Sequence, residues 1–185
     1  MKRFFAVLIA FVLCGCAANP SAVDRAVSLR NKIQAGNGCK FDATVTADYS
    51  DRLYSFRMQC ETDNLGNLAF TVLEPESISG ISGFISKDSG KLTFDEKVLA
   101  FETISEGRIS PVSAPWLLMK ILSSGYIKSG SVSDDGIYVQ IDDSYAEETI
   151  LMELWTDKVD LPMHCDLIFQ GICILSIDVE NFTFL

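Results

Sequence analysis

Few side chains in this sequence could perform acid–base, nucleophilic or metal chemistry. The 185-residue chain contains one histidine, His164, whereas typical zinc sites use several histidine or cysteine ligands together. No Gly-x-Ser-x-Gly turn is present to expose a nucleophilic serine, and the spacing from Gly83 to Lys91 does not match a phosphate-binding loop. Residues 134–136 lack the spaced acidic ligands of a calcium loop. The sequence therefore predicts a protein that is not an enzyme and holds no metal or cofactor, with His164 on the surface or at a strand edge.

Two of the six cysteines lie at the end of an apolar N-terminal segment. Lys2 and Arg3 precede an apolar run at 4–13. A basic start followed by about 7–15 apolar residues is typical of a secretory signal peptide, whereas a membrane-spanning helix needs about 20. The motif Leu13-Cys14-Gly15-Cys16 resembles the lipobox of bacterial lipoproteins, which implies a fatty-acid anchor, such as palmitate, on Cys16. The alternative is an ordinary cleaved signal with two incidental cysteines.

Processing at this motif divides the chain into three predicted parts. Residues 1–15 are a lipoprotein signal peptide, residues 16–20 are the lipidated cysteine with a short tether, and residues 21–185 are a single domain, since no linker or repeat divides them. The predicted location is extracytoplasmic, with the lipid anchored in the cell membrane. Loss of Lys2 and Arg3 leaves 13 of the 15 basic residues against 25 acidic ones. This net negative charge argues against nucleic acid as a partner. The domain is also predicted to be a monomer.

A second pair of cysteines lies in a predicted β-hairpin. Apolar and polar residues alternate from Cys39 to Asp48 and from Leu53 to Cys60, which is typical of strands with one buried face. A register in which paired residue numbers sum to 99 brings apolar side chains opposite one another and sets Cys39 opposite Cys60. Cysteines at that cross-strand spacing can be bridged in an oxidising compartment. The sequence thus predicts a structural disulfide between them, in preference to two free thiols.

The third pair, Cys165 and Cys173, lies on either side of a predicted two-residue turn at Gln170-Gly171. That turn would set Cys173 opposite Ile168 and Cys165 opposite Ser176, so that the two thiols would point to opposite faces of the sheet. The sequence therefore predicts two buried free cysteines. A β-bulge is the alternative that would change this pairing.

These residues must be positioned by a helix and a set of β-strands. Ser21 to Ala35 is predicted to be a helix, with Ser21 as its N-cap and Gly36-Asn37-Gly38 as its stop. Alternating segments separated by turn residues then give about eleven candidate strands. Besides the two strands of the hairpin, they are 68–73, 79–86, 92–95, 98–104, 129–133, 137–142, 149–155, 165–169 and 172–184.

A second predicted helix is apolar on every side. It covers Trp116 to Leu122, with Pro115 suited to a first helical turn and Gly125 to the exit. Six of its seven residues are apolar, and a helix without a polar face is buried on more than one side. We expect it to lie inside the curve of the sheet, like a plug or lid.

This order of elements resembles the LolA/LolB superfamily of lipoprotein carriers, which also contains RseB-like proteins. The resemblance rests on the N-terminal helix, the antiparallel strands and the apolar helix after Pro-Val-Ser-Ala-Pro-Trp at 111–116, with Phe-Thr-Val-Leu-Glu-Pro at 70–75 and Leu-Thr-Phe-Asp at 92–95. It implies an α+β, mainly antiparallel β fold: an unclosed curved β-barrel of about eleven strands, with an N-terminal helix and an apolar plug or lid helix. It also implies a cavity for acyl chains.

The resemblance and the anchor together predict a membrane-anchored extracytoplasmic lipoprotein that binds a hydrophobic ligand, such as an acyl chain, a lipid or a lipoprotein, in an apolar cavity. The candidate ligand-binding residues lie on the apolar helix and on a late strand: Trp116, Leu117, Met119, Ile121 and Trp155. The alternative is a non-enzymatic structural or signalling envelope lipoprotein that acts through a protein partner, with these residues filling the core. An open apolar cavity beneath the helix favours the first hypothesis, and a filled core favours the second.

Overall fold

The computed structural model describes residues 20–48, 52–86, 92–94, 110–144 and 149–185. In these residues ten strands form one antiparallel sheet, accompanied by two α-helices. The helices are α1 (Ala22–Ala35) and α2 (Ala114–Ser124). The strands are β1 (Gly38–Asp48), β2 (Leu53–Asp63), β3 (Leu68–Glu74), β4 (Ser82–Ile85), β5 (Leu92–Phe94), β6 (Tyr126–Ser133), β7 (Gly136–Asp142), β8 (Ile150–Thr156), β9 (Pro162–Phe169) and β10 (Ile172–Phe184).

The sheet is almost entirely a meander. Its strands are ordered β5-β4-β3-β2-β1-β10-β9-β8-β7-β6, so that β1 and β10 are the one neighbouring pair in the described sheet whose members are far apart in sequence. The signal peptide, Cys16 and the predicted strand at 98–104 lie outside the described residues.

α1 begins and ends where the sequence predicts. The Ser21 hydroxyl accepts a hydrogen bond from the backbone N–H of Asp24 (3.2 Å), and the Asp24 carboxylate accepts one from the backbone N–H of Ser21 (3.1 Å). This reciprocal capping box satisfies N–H groups that the helix leaves unpaired. The helix stops at Gly36. β1 then starts at Gly38, where φ is +140° and a Cβ would lie 1.8 Å from the Thr62 carbonyl oxygen, so that only glycine fits.

The predicted register of the β1–β2 hairpin is wrong by two residues. Cys39 lies opposite Thr62, and Cys60 lies opposite Phe41. Cys39 and Cys60 are therefore diagonal neighbours on the buried face, where Cβ atoms are ordinarily about 7 Å apart, against about 4 Å in a disulfide. Both are free thiols, so the disulfide expected from the predicted register does not form in this structure. A shift of two residues leaves every side chain on its own face, and the alternating pattern therefore fits both registers equally well.

A β-bulge in β10 sets the directions of the other two thiols. Cys173 pairs with Ile168 as predicted, but the register shifts after Cys173, so that Cys165 lies opposite Ile177 and not opposite Ser176. Both cysteines are free, as predicted; Cys165 is buried, whereas Cys173 is exposed. The prediction of two buried thiols is therefore wrong for Cys173.

α2 confirms the predicted apolar helix and extends it at both ends. Pro115 lies in its first turn, and the N–H of Gly125 donates to the carbonyl of Ile121 (2.8 Å) at its exit. The sheet curves round the helices: α2 contacts β1, β7 and β10, and α1 contacts β1, β6, β7 and α2. Both helices therefore pack on the same face, which we call the inner face.

The fold class is mainly antiparallel α+β, with ten strands where the sequence predicts about eleven. Within the described residues the edge strands β5 and β6 do not pair with each other, so the curved sheet is unclosed. The predicted strand 79–86 is shorter in the structure, because a 3₁₀ turn at Glu76–Ile78 and a tight bend precede β4. In the described part of the chain, neither helix has the length and apolar character needed to cross a membrane.

Candidate functional site

The space between α2 and the inner face is filled by side chains. Leu118, Ile121 and Leu122 are at most 1% exposed. The strand side chains that point toward the helices are equally buried, among them Val45, Ile141, Met152, Leu154 and Ile177. A side chain that lined a cavity large enough for water would keep accessible area there. Within the described residues, α2 therefore covers a packed core and not an acyl-chain cavity. A filled core beneath this helix favours the hypothesis of a protein partner.

A pocket of about 260 Å³ lies instead at the rim of the sheet, between α1, α2 and the β2–β3 turn. We call it the rim pocket, and its lining residues are Ile33, Gln34, Thr62, Asp63, Asn64, Leu65, Gly66, Trp116, Met119, Lys120, Ser123 and Ser124. Its volume is slightly below the range of about 300–1,000 Å³ that is typical of sites enclosing a drug-sized ligand. The pocket therefore has room for one apolar group and not for a whole lipid.

Hydrogen bonds from α1 to the end of α2 fix one wall of the rim pocket. Arg30 donates through Nε to the carbonyl of Leu122 (2.6 Å) and through Nη2 to that of Gly125 (2.8 Å). Gln34 donates through Nε2 to the carbonyl of Ser123 (2.7 Å). These carbonyls lie at the C-terminus of α2, where a helix leaves its acceptors unpaired, so the bonds cap α2 and join it to α1.

The opposite wall is the β2–β3 turn, which is organised by Asp63. Its carboxylate accepts hydrogen bonds from the backbone N–H groups of Leu65 and Asn67, each 2.9 Å long, and from the side-chain amide of Asn67 (2.7 Å). Burial raises the pKa of Asp63, but the hydrogen bonds from Asn67, Leu65 and Gly66 outweigh it and hold that pKa below its usual value. The carbonyl of Gly66 accepts from Nε1 of Trp116 (3.1 Å), so the turn fixes the indole in the pocket wall.

A cation lies beside the apolar lining. Nζ of Lys120 is 5.4 Å from the ring centroid of Trp116, within the distance of about 6 Å at which an ammonium group is attracted to an aromatic face. Met119, Ile33 and Leu65 supply the apolar surface beside this pair. The rim pocket can therefore hold an apolar group whose polar end is anionic or neutral.

The predicted ligand-binding residues of the helix divide between this pocket and the core. Trp116 and Met119 line the rim pocket. Leu117 and Ile121 do not; they are 7% and 1% exposed and belong to the packed core. Helical geometry explains the division, because residues on different sides of one helix cannot reach the same pocket. The pocket residues of α1 and of the β2–β3 turn were not predicted from the sequence. The polar residues and glycine at Asp63–Gly66 are nevertheless typical of a tight turn.

Trp155, the fifth predicted residue, lies on the other face of the sheet. Its neighbour Leu154 fills the inner face with no exposed area, and successive residues on a strand point to opposite sides. The Trp155 ring is half-buried and contacts Tyr138 and His164, with centroid distances of 5.1 and 5.2 Å. Trp155 is therefore not part of a site with α2, and the prediction that placed it there is corrected.

The outer face of β7–β10 carries three rows of side chains that cross the four strands. Each row contains one residue from each of β7, β8, β9 and β10, paired directly in register. The first row is Tyr138, Trp155, His164 and Asp178; the second is Gln140, Glu153, Asp166 and Ser176; the third is Asp142, Leu151, Ile168 and Cys173.

Hydrogen bonds join the first two rows at β7 and β8. The hydroxyl of Tyr138 donates to Glu153 (2.7 Å), and the amide of Gln140 donates to the same carboxylate oxygen (2.9 Å). Burial, together with the hydrogen bond and the negative charge of Glu153, raises the pKa of Tyr138 to about 12. Glu153 is thus held in place beside the aromatic row.

His164 lies between two carboxylates on this face. Its Nδ1 is 2.7 Å from Asp178 and its Nε2 is 3.2 Å from Asp166. The Ser176 hydroxyl donates to Asp166 (2.6 Å) and not to the imidazole. In a Ser-His-Asp site the serine must donate to the histidine, so this cluster lacks the arrangement of a nucleophilic serine. Across the described ranges, no three His, Cys, Asp or Glu side chains are placed together to hold a metal ion.

Comparison with known proteins gives matches among solved structures alone. No protein-family model and no curated protein sequence matches the chain. A conserved protein of Thermus thermophilus matches with a TM-score of 0.45 and 12% identity over 86% of this chain and 87% of its own. A LolA superfamily protein of Nitrosomonas europaea matches with a TM-score of 0.40 and 10% identity over 90% and 94%. MucB matches with a TM-score of 0.42 and 13% identity over 85% of this chain and 58% of its own.

A LolA superfamily protein is thus among the solved structures that this chain resembles, as the sequence predicts. The MucB matches include complexes with MucA, one of them from Pseudomonas aeruginosa. All these likenesses lie at 13% identity or less and concern the fold.

Proposed function

We propose that this chain is a non-enzymatic, extracytoplasmic binding protein, anchored by a lipid on Cys16, whose rim pocket takes the apolar end of a ligand. The observation that carries the proposal is the rim pocket itself. Trp116 and Met119 form an apolar wall there, in a space of about 260 Å³, beside a core that is otherwise closed. This pocket combines apolar surface with walls that hydrogen bonds hold in place.

The ligand is an acyl chain, or a lipid or lipoprotein that offers the end of one. The pocket is open to solvent at the rim, so the ligand enters by its end and the rest of it stays outside. Lys120 favours a carboxylate or phosphate next to the chain, because its ammonium group lies beside the pocket.

Binding of octanoate tests the pocket. The full chain is produced with its own leader, placed in nanodiscs of neutral lipid, and titrated with octanoate by calorimetry against empty nanodiscs. Trp116→Ala should weaken binding by about tenfold, the usual effect of truncating a central aromatic contact. Trp155→Ala is the matched control and should leave the affinity unchanged. Equal loss from both variants, or no binding above empty nanodiscs, contradicts the proposal.

Labelling with radioactive palmitate tests the anchor. The label should enter the wild-type chain and the Cys14→Ala variant, and it should be lost from Cys16→Ala, because lipidation is proposed for the second cysteine alone. Incorporation that survives in Cys16→Ala would place the lipid elsewhere.

A second candidate function is recognition of a protein partner by an outer surface of the domain. The packed core beneath α2 favours it, since a filled interior leaves the surface as the place where binding must occur. Under this function octanoate does not bind and a partner segment does.

A further inference from the structure

We infer that the outer face of β7–β10 is a docking surface for a basic segment of a protein partner, one that carries arginine or lysine side chains. This surface lies on the opposite side of the sheet from the helices. The inference therefore goes beyond the rim pocket, and it gives the second candidate function a location and a partner chemistry.

Charge is the first argument. The strands β7 to β10 contain five acidic residues and neither lysine nor arginine: Asp142, Glu153, Asp166, Asp178 and Glu180. Asp142 pairs with Lys128 of β6 at 3.3 Å. Among the described residues, the other four form no ion pair with a lysine or arginine. Glu180 interacts with Arg57 of β2, and His164 lies between Asp166 and Asp178. Because these strands carry five carboxylates and neither lysine nor arginine, the surface still has a negative potential, and a basic partner would supply counter-charge.

The aromatic row is the second, independent argument. Tyr138, Trp155 and His164 are in continuous contact across three strands, and their rings are half-buried. A row of rings next to carboxylates is the surface on which a guanidinium group binds best, because that group stacks on aromatic faces and donates to carboxylates in one plane. Glu153 and Asp166 occupy the adjacent row, about 7 Å along the strands.

The shape of the surface favours a chain segment over a small cation. Each row crosses four strands, a distance of about 14 Å, which is the length of roughly four extended residues. Gln140 and Ser176 lie at the two ends of the second row and can hydrogen-bond to a peptide backbone. Leu151 and Ile168 in the third row add the apolar contact that protein interfaces contain beside their charged groups.

Two variants test this surface without disturbing the core. Asp178 is 65% exposed, so Asp178→Asn removes one charge from the first row and leaves the packing unchanged. Asp135→Asn, in the β6–β7 turn, is the matched control, since Asp135 is 92% exposed and the change in net charge is the same. Trp155→Leu removes the central ring and keeps an apolar side chain.

The measurement is the fluorescence anisotropy of a short labelled peptide of alternating arginine and threonine. The full chain is held in nanodiscs of uncharged lipid, so that the membrane itself does not attract the peptide. We expect the peptide to bind, and we expect Asp178→Asn and Trp155→Leu each to weaken it by about three- to tenfold. Asp135→Asn should leave the affinity unchanged.

Three results would overturn the inference. A glutamate–threonine peptide that binds as well as the arginine one would remove the charge argument. Equal weakening by Asp178→Asn and Asp135→Asn would show a general charge effect and no surface. Spermine that binds with the same dependence on Trp155 and displaces the peptide fully would identify a small polycation as the ligand. Octanoate binding in the same nanodiscs should be unaffected by Asp178→Asn, so that failure of this surface and failure of the rim pocket are distinguishable.

Discussion

The inner and outer faces of β7–β10 are made from the same four strands, yet they bury their side chains in different ways. On β7, Ile137, Val139 and Ile141 point inward and are at most 2% exposed, whereas Tyr138 and Gln140 between them point outward and are half-buried. The inner face is closed by apolar contact with the helices. The outer face is held by hydrogen bonds and ring contacts within the sheet.

This difference separates stability from recognition. Apolar burial contributes about 25 cal/mol for each Å² removed from water, so the inner face supplies most of the folding free energy. A side-chain hydrogen bond contributes a net of only about 1 kcal/mol. Changes on the inner face should therefore act on folding, and changes on the outer face should act chiefly on binding.

The two cysteines of the β9–β10 hairpin give the largest expected contrast. Burial raises the pKa of Cys165 well above the usual value. Burial raises the pKa of Cys173 as well, but this side chain is exposed on the outer face and accessible to a reagent. We expect maleimide to label Cys173 at least about a thousandfold faster than Cys165, since a thiol in the core reacts only when the domain opens. Peptide mapping after timed labelling measures both rates.

The same experiment bears on Cys39 and Cys60. Burial raises the pKa of Cys39 to about 11 and raises that of Cys60 further, so both should resist labelling in the folded chain. After unfolding without reductant both should label, because they are free thiols. Protection that persists in the unfolded, non-reduced chain would show a disulfide and contradict the observed register.

Truncation of one leucine on each side gives the next largest contrast. Leu118 has no exposed area, and Leu118→Ala should lower the free energy of unfolding by about 3 kcal/mol. Leu151 lies half-buried on the outer face, and Leu151→Ala should lower it by about 1 kcal/mol. Urea unfolding of the two variants measures both effects. Equal losses would mean that the outer face contributes to the fold as much as the core does.

The smallest expected effect is a pH dependence from Tyr138. Its pKa is about 12 in the folded chain, above the value of about 10 of a free tyrosine. The folded state therefore holds the proton more tightly, and stability should fall as the pH rises from about 10 to about 12. Tyr138→Phe should show a smaller fall across that range in denaturant midpoints. An identical pH dependence in both proteins would show that Tyr138 is not its source.

The sequence predicts the elements well, because local chemistry determines them. The Ser21 capping box and the stop at Gly36 fix α1, and the unbroken apolar character of residues 116–122 fixes α2. The alternation in β8 places Met152 and Leu154 on one face and Trp155 on the other, as the structure does.

Relations between distant elements could not be predicted in the same way. Both hairpin registers keep the apolar residues of β1 on one side of the sheet. In the observed register the N–H of Cys39 donates to the hydroxyl of Thr62 (2.9 Å). The alternation of apolar and polar residues does not predict this contact. The alternation of apolar and polar residues also does not show which face of β8 the helices cover. The prediction therefore placed Trp155 on the inner face, whereas it lies on the outer face. The rim pocket combines α1, α2 and a turn, and no local pattern shows that they meet.

The edge strand β6 has a consequence for the behaviour of the domain at high concentration. An edge strand leaves backbone groups that can template pairing with another chain, and such pairing begins aggregation. Seven of the eight residues of β6 are exposed, and four of the side chains that line it are Lys128, Ser129, Ser131 and Ser133. Water competes well for the backbone groups beside these polar side chains, although Tyr126 and Val132 of the same strand are also exposed. The domain should therefore remain dispersed at high local concentration.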